Sequence, residues 1–231
     1  MSRFAALRRD VLRANGELAH RGLALFTFGN VSGIDRAAGV VVIKPSGVGY
    51  DRLTPDDLVA TDLDGKVVEG TMRPSSDLPT HLVMYQAFAH IGGVAHAHSH
   101  YATVWAQAGR DIPCLGTTHA DYFHGAIPVV GHLSAGEISS AYEANTGHAI
   151  VRCFESIDPT RVPAALVAGH ASFTWGASAA EAVESMSVLE EVARLAYETV
   201  VLNAAAEPIP DRLRDKHFFR KHGPDAYYGQ R

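Results

Sequence analysis

The sequence predicts one α/β domain. Strand-like and helix-like segments alternate along it, no linker-like shift in composition divides it, and its 231 residues suit one domain or at most two. Apolar residues make up 47% and charged residues 19%, an ordinary globular balance. A chain of this length buries a core without staples. With 21 glycines and 11 prolines it is not low-complexity, and it carries no internal repeat.

The elements follow in order. Phe4, Leu7, Val11, Leu12 and Leu18 recur at helical spacing, with Ser2 placed to cap the helix and Gly22 to end it. Val40 to Ile43 is a β-branched run stopped by Pro45 and Gly47. Leu58 to Leu63, Asp64-Gly65 and Lys66 to Val68 predict a hairpin with a tight primed turn. Ser75-Ser76-Asp77 before Pro79 predicts a helix start, with apolar periodicity to Phe88. Gly93 to Ser99 alternates as a strand, Tyr101 to Ala108 is a short helix, and Ala164 to His170 is another strand. Ser178 to about Ala206 is a long helix ended by Pro208 and Pro210, and a last helix from about Asp211 to His222 precedes a tail.

Composition narrows the function. Twenty Lys and Arg against 25 Asp and Glu give a net charge of −5, which argues against nucleic acid as the main partner. Neither a secretory h-region nor an 18-residue apolar run is present, so no membrane partner is expected. Cys114 and Cys153 fit reduced thiols of a cytoplasmic protein rather than a disulfide framework. Thirteen histidines against two cysteines favour imidazole as the means of any metal binding.

His96 and His98 lie two apart in a strand pattern and so share a face. That is the geometry for gripping one ion, and equally that of two partly exposed histidines on an edge strand. His170 ends a second strand pattern; alone it reads as a core histidine, but three strand-end histidines resemble the three-ligand layout of a catalytic zinc site. Asp77 is a fourth candidate ligand, although before Pro79 it reads locally as a helix N-cap. Lys44-Pro45-Ser46-Gly47 after a strand and Ser75-Ser76 at a helix start offer hydroxyls, backbone N–H groups and a cation for an anion, or are two ordinary turns. Neither a Walker loop nor a dinucleotide fingerprint is present. Asp121, within Gly116 to Tyr122, suits a general acid or base or a turn aspartate. The basic, aromatic end from Lys216 to Gln230 reads as a solvated helix face, or one facing a small anion.

These segments together resemble the L-ribulose-5-phosphate 4-epimerase branch of the class II aldolase family. The resemblance is carried by Gly29-Asn30-Val31-Ser32, Ile43 to Val48, Glu69 to His81, His96-Ala97-His98-Ser99, Gly116 to Phe123, Val188 to Ala193 and Lys216 to Gln230. It implies a single three-layer α/β/α domain over 1–231 with a mostly antiparallel sheet. It also implies a four-fold homotetramer in which the tail, about 211–231, reaches a neighbour's active site. His96, His98 and His170 would hold one divalent metal, zinc expected and manganese or cobalt as alternatives, with Asp77 at the same centre. Asn30, Lys44, Ser46, Gly47, Ser75 and Ser76 match positions holding the substrate phosphate. Asp121 matches the acid/base aspartate and Tyr228 a second acid/base residue delivered by the adjacent subunit. Thr117, Glu143, His217 and Arg220 match positions lining that shared site. Relatives commonly read His-Ser-His-Gly-Pro-Phe around the third ligand; here the chain reads Ala168-Gly169-His170-Ala171-Ser172-Phe173, keeping the ligand and losing the earlier histidine.

The implied reaction is epimerisation of a phosphorylated ketopentose at C4, in the setting of carbohydrate metabolism such as L-arabinose catabolism. The alternatives are an aldolase acting on a ketose such as L-fuculose 1-phosphate, and a non-catalytic scaffold domain of the same fold. Asp77 stands where the aldolase branch places a glutamate, which counts against the first; the retained histidines count against the second.

Overall fold

Among residues 3–229, which the structure (a computed structural model) describes, the sequence periodicities resolve into eight helices and eight strands. In chain order these are α1 (Ala5–His20), β1 (Asn30–Asp35), β2 (Val40–Ile43), β3 (Val59–Asp62), β4 (Val67–Glu69), α2 (Leu78–Ala87), β5 (Gly93–Ala97) and α3 (His100–Ala108). Then come α4 (Thr117–Ala120), β6 (Val129–Val130), α5 (Ala135–Ser139), α6 (Tyr142–Cys153), β7 (Ala164–Val167), β8 (Ser172–Gly176), α7 (Ala179–Leu202) and α8 (Asp211–Phe219). The strands form one sheet in the order β4-β3-β2-β1-β5-β8-β7-β6. Every pairing is antiparallel except β6 with β7.

Two neighbouring residues of β1 show the layering. A Cβ on Gly33 would meet Leu7 and Val11 of α1, whereas the Ser32 hydroxyl meets His81 and Tyr85 of α2. Successive strand residues point to opposite faces, so α1 and α2 cover opposite faces. Helix α7 packs with α1, α3 and the central strands, and α6 packs on α2. The result is the expected α/β/α sandwich with a mostly antiparallel sheet. Its central strands β1, β2, β5 and β7 are buried nearly end to end. No helix among the described residues is long and apolar enough to cross a membrane.

Local chemistry explains some of the boundaries. Helix α1 ends as Gly22 predicts: Gly22 N–H donates to Ala19 O and Leu23 N–H to Leu18 O, with Leu18 and Leu23 both buried, the Schellman pattern. The Ser2 cap lies outside the described residues. Ser178 caps α7 by accepting from Glu181 N.

Several expectations need correction. The β3–β4 hairpin has no primed turn: Gly65 alone takes positive φ (+84°), and its N–H donates to Asp62 O, giving a three-residue loop closed by a glycine bulge. Strands β1 and β8 were not expected, because a strand buried on both faces shows no alternation. Helices α5 and α6 were also missed, although Ser134 and Glu137 make a full capping box at α5. The strand expected to run to His170 stops at Val167, and residues 168–170 form the turn into β8. Helix α7 ends at Leu202, before Pro208 is reached, and α8 ends at Phe219 rather than His222.

Candidate functional site

Sheet register builds the first half of the site. Asn30 of β1, His96 of β5 and Phe173 of β8 lie directly opposite one another, so their side chains share the face that carries α2. The His96 ring stacks on Phe173 at 4.3 Å. Its Nδ1 lies 3.0 Å from the Ser172 carbonyl. A carbonyl only accepts, so Nδ1 carries a proton and Nε2 is the ring nitrogen left for a metal. His98 follows β5 immediately, and the β7–β8 turn projects His170 past the same strand end. The three rings stand 5.0 Å apart in every pair, and one nitrogen from each lies within 4.8 Å of the others. Burial first, then the neighbouring rings, pushes the His170 pKa down to about 4 and lowers that of His98. Neutral imidazoles are the form that ligates a metal, and three of them compose a donor set fit for a divalent ion.

Asp77 stands at the N-cap position of α2, but its side chain makes no capping bond. It accepts from Asn30 Nδ2 at 2.7 Å and lies 3.9 Å from His96 Nε2. Burial opposes its charge, yet the imidazoles of His96, His81 and His170 and the Asn30 amide outweigh burial and hold the carboxyl below its ordinary value. The position is a cap; the carboxylate faces the histidines.

The second half is a polar pocket built around a buried lysine. The two turns singled out in the sequence are tied by the bridge between Pro45 and Pro74, with Ser75 N–H donating to Lys44 O and Ser46 N–H to Arg73 O. Lys44 is 1% exposed, and burial lowers its pKa. The Asn30 Oδ1 is buried without a partner. A buried cation beside an unfilled acceptor and several hydroxyls calls for a polar ligand. One cavity of about 320 Å³ unites both halves; Asn30, Lys44, Ser46, Gly47, Ser75, Ser76, Asp77, His96, His98 and His170 all line it.

The remaining candidates lie outside this cavity, most of them around Asp121. Asp121 receives two hydrogen bonds from Arg220, at 3.0 and 2.7 Å, and faces His217 Nδ1 at 3.0 Å. Burial is the largest single influence and raises its pKa, but these partners and Lys221 together outweigh it and leave the carboxyl below its ordinary value. Tyr228 lies half-exposed against Arg220 and Lys221. Thr117 opens α4, and its carbonyl accepts from Asp121 N–H. Glu143 lies in the first turn of α6, beside Tyr142, whose hydroxyl is 3.4 Å from His170 Nδ1. None of these six lines that cavity in its own chain.

Sequence reasoning overlooked Thr27 and Phe28, which line the cavity, and Ser172 and Phe173, which fix the His96 ring. Only the β5–β8 register reveals the latter pair.

Comparison with known proteins follows this geometry. Residues 9–197 match the Class II Aldolase and Adducin N-terminal domain family. A relative from Salmonella paratyphi B, named L-ribulose-5-phosphate 4-epimerase UlaF, is 53% identical over 97% of this chain and 99% of its own. Its counterpart from Salmonella paratyphi C is 52% identical with the same coverage. Among solved structures, an L-fuculose 1-phosphate aldolase superposes with a TM-score of 0.79 at 24% identity, covering 95% of this chain and 97% of that one, a likeness of fold.

Proposed function

The chain belongs to the class II aldolase and adducin N-terminal domain family, and from that premise we propose that it converts L-ribulose 5-phosphate to D-xylulose 5-phosphate by inverting C4. The observation that carries this reading is a single cavity with three imidazoles and a buried lysine between two Ser/Gly turns, in a chain with full-length likeness to a named epimerase.

The substrate sets the chemical problem. Its ketone is at C2, so the C4 proton is not adjacent to the carbonyl and its direct removal is unfavourable. Breaking C3–C4 in a retro-aldol sense avoids this: the C4 hydroxyl loses its proton, C4 becomes an aldehyde, and the bonding pair moves toward the C2 carbonyl. The aldehyde fragment then turns, and the bond re-forms on its other face.

A divalent metal held by His96, His98 and His170, with Asp77 at the same centre, supplies Lewis-acid stabilisation of the charge developing on the ketose oxygens; zinc suits three imidazoles and a carboxylate, with manganese or cobalt as alternatives. The Ser172 carbonyl keeps His96 in the tautomer that offers Nε2. Lys44, Asn30, Ser46, Gly47, Ser75 and Ser76 hold the phosphate, so the aldehyde fragment stays bound between cleavage and recapture. Two faces need two proton handlers. Asp121 takes a proton as a carboxylate on one side, and Tyr228 of an adjacent subunit gives one on the other, within a homotetramer whose shared sites also include Thr117, Glu143, His217 and Arg220.

Incubation of metal-loaded protein with L-ribulose 5-phosphate, with products separated by chromatography, is expected to show D-xylulose 5-phosphate. Release of two carbon fragments without an epimer, or cleavage of L-fuculose 1-phosphate in its place, would support the aldolase alternative.

A further inference from the structure

Lys44 is enclosed almost completely, yet no carboxylate pairs with it among the described residues. Its Nζ has the Pro45 carbonyl at 3.5 Å and the face of the Tyr50 ring, 4.8 Å from the centroid. The ring is thus the principal partner of this charge before a ligand enters. The other end of Tyr50 is equally occupied: its hydroxyl lies 2.9 Å from Phe28 O and 2.8 Å from Gly29 O. One phenolic proton serves one carbonyl at a time, and both carbonyls are turned onto it.

The segment so held is tightly placed. Gly29 has φ +77°, and a Cβ there would sit 2.7 Å from His96 O, so the backbone lies directly on the strand that carries His96. Phe28, one residue earlier, has its ring 6.2 Å from that of His98. Tyr50 itself does not line the cavity. It touches the cation on one wall and the backbone of another.

We propose that Tyr50 is a positioning residue of the anion pocket, holding Lys44 on its ring face and the Phe28–Gly29 backbone on its hydroxyl so that the cavity stands preformed for a phosphate ester. This rests on the reading of the cavity as a sugar-phosphate site. Preorganisation lowers the cost of binding, and the phosphate ester itself takes no part in the bond changes, so the contribution falls on substrate binding more than on turnover.

The test uses the metal-loaded full chain, L-ribulose 5-phosphate as substrate and inorganic phosphate as competitive inhibitor. Tyr50→Phe keeps the ring and removes the tether; Tyr50→Leu removes both. The expected result is a KM raised about threefold in the first and about tenfold in the second, the phosphate inhibition constant rising in parallel, kcat within about threefold and metal content unchanged. On a Lys44→Met background the Tyr50→Leu increment is expected to shrink, because the two residues act together. A Tyr50→Leu enzyme with wild-type KM and phosphate inhibition overturns the proposal, as does full additivity with Lys44→Met. If Tyr50→Leu fails to fold, Tyr50→Phe decides: unchanged KM and inhibition overturn it. Loss of phosphate inhibition in Lys44→Met with silent Tyr50 variants removes Tyr50 alone. A wild-type enzyme that phosphate does not inhibit, with Lys44→Met also silent, removes the phosphate reading beneath it.

Discussion

At the scale of single residues, His96 owes its chemistry to four neighbours rather than to its own identity. Phe173 fixes the plane of its ring, Ser172 its tautomer, and His98 and His170 complete the triangle. Strand alternation made His96 and His98 legible as a pair in the sequence. It did not make His170 legible, because that residue sits in a turn, and its approach depends on β8 lying beside β5. Asp77 was legible as a helix start, but the direction of its carboxylate depends on Asn30, 47 positions away. His98 is the proposed ligand to test, since it lies exposed beyond the end of β5 and its loss opens no core cavity. His98→Ala is expected to drop bound metal well below one ion per chain and turnover by ~10²-fold or more, with the circular-dichroism spectrum unchanged. Metal analysis showing full occupancy would remove it from the ligand set.

At the scale of elements, α3 and α8 each hold part of the site through one carboxylate. Ser99 precedes α3 but makes no capping bond, and its hydroxyl is buried without a partner. Glu190 of α7 caps the helix from outside, accepting from Tyr101 N at 2.8 Å and Ala102 N at 3.0 Å. A carboxylate at a helix N-terminus also meets the positive end of its dipole. Glu190→Ala is therefore expected to cost ~1–2 kcal/mol, a fall in Tm of about 2–8 °C, and to weaken metal binding because α3 begins two residues after His98; an unchanged Tm would show that the cap contributes nothing. The Val188 to Ala193 motif was visible in the sequence, but its role was not, because Glu190 acts on backbone groups almost 90 residues away.

Asp121 anchors α8 and the tail in the same manner. Burial is the largest single influence and raises its pKa, but Arg220, His217 and Lys221 together outweigh it and leave the folded value depressed. A depressed carboxylate contributes stability that is fully present above its unfolded pKa, near 3.9, and is lost as pH falls through the lower folded value. Limited proteolysis is expected to leave the tail protected at pH 5 and to release it only below the ordinary carboxylate range; Asp121→Asn is expected to expose it already at pH 7. A tail cut equally in both proteins at pH 7 would show that the ion pairs do not hold it.

At the scale of the whole molecule, the α/β class was readable from alternating patterns, but the order of the strands was not. Strands β1, β5 and β8 are neighbours in the sheet, although β1 and β8 are separated by most of the chain, and that order brings Asn30, His96 and Phe173 into one row. The two Ser/Gly turns were each unremarkable in sequence, and the Pro45–Pro74 bridge makes them one pocket. Net acidity of −5 coexists with this pocket because its charge is a single buried lysine. The cluster around Asp121 lies apart from the cavity of its own chain, so a site shared between subunits has a direct test. Oligomers reassembled from inactive Asp121→Asn and Tyr228→Phe chains are expected to regain part of the activity, up to about one quarter of wild type if each restored site takes Asp121 from one chain and Tyr228 from another; no recovery in verified mixed oligomers would contradict delivery of the two residues by different chains.

Inversion of C4 without loss of its proton is the central claim, and one experiment reads it directly. Metal-loaded protein is incubated with L-ribulose 5-phosphate in D₂O, and the C4 position of the product is followed by proton NMR. Bond cleavage and recapture predict D-xylulose 5-phosphate with its C4 proton retained. A product deuterated at C4, or no epimer at all, would contradict the account.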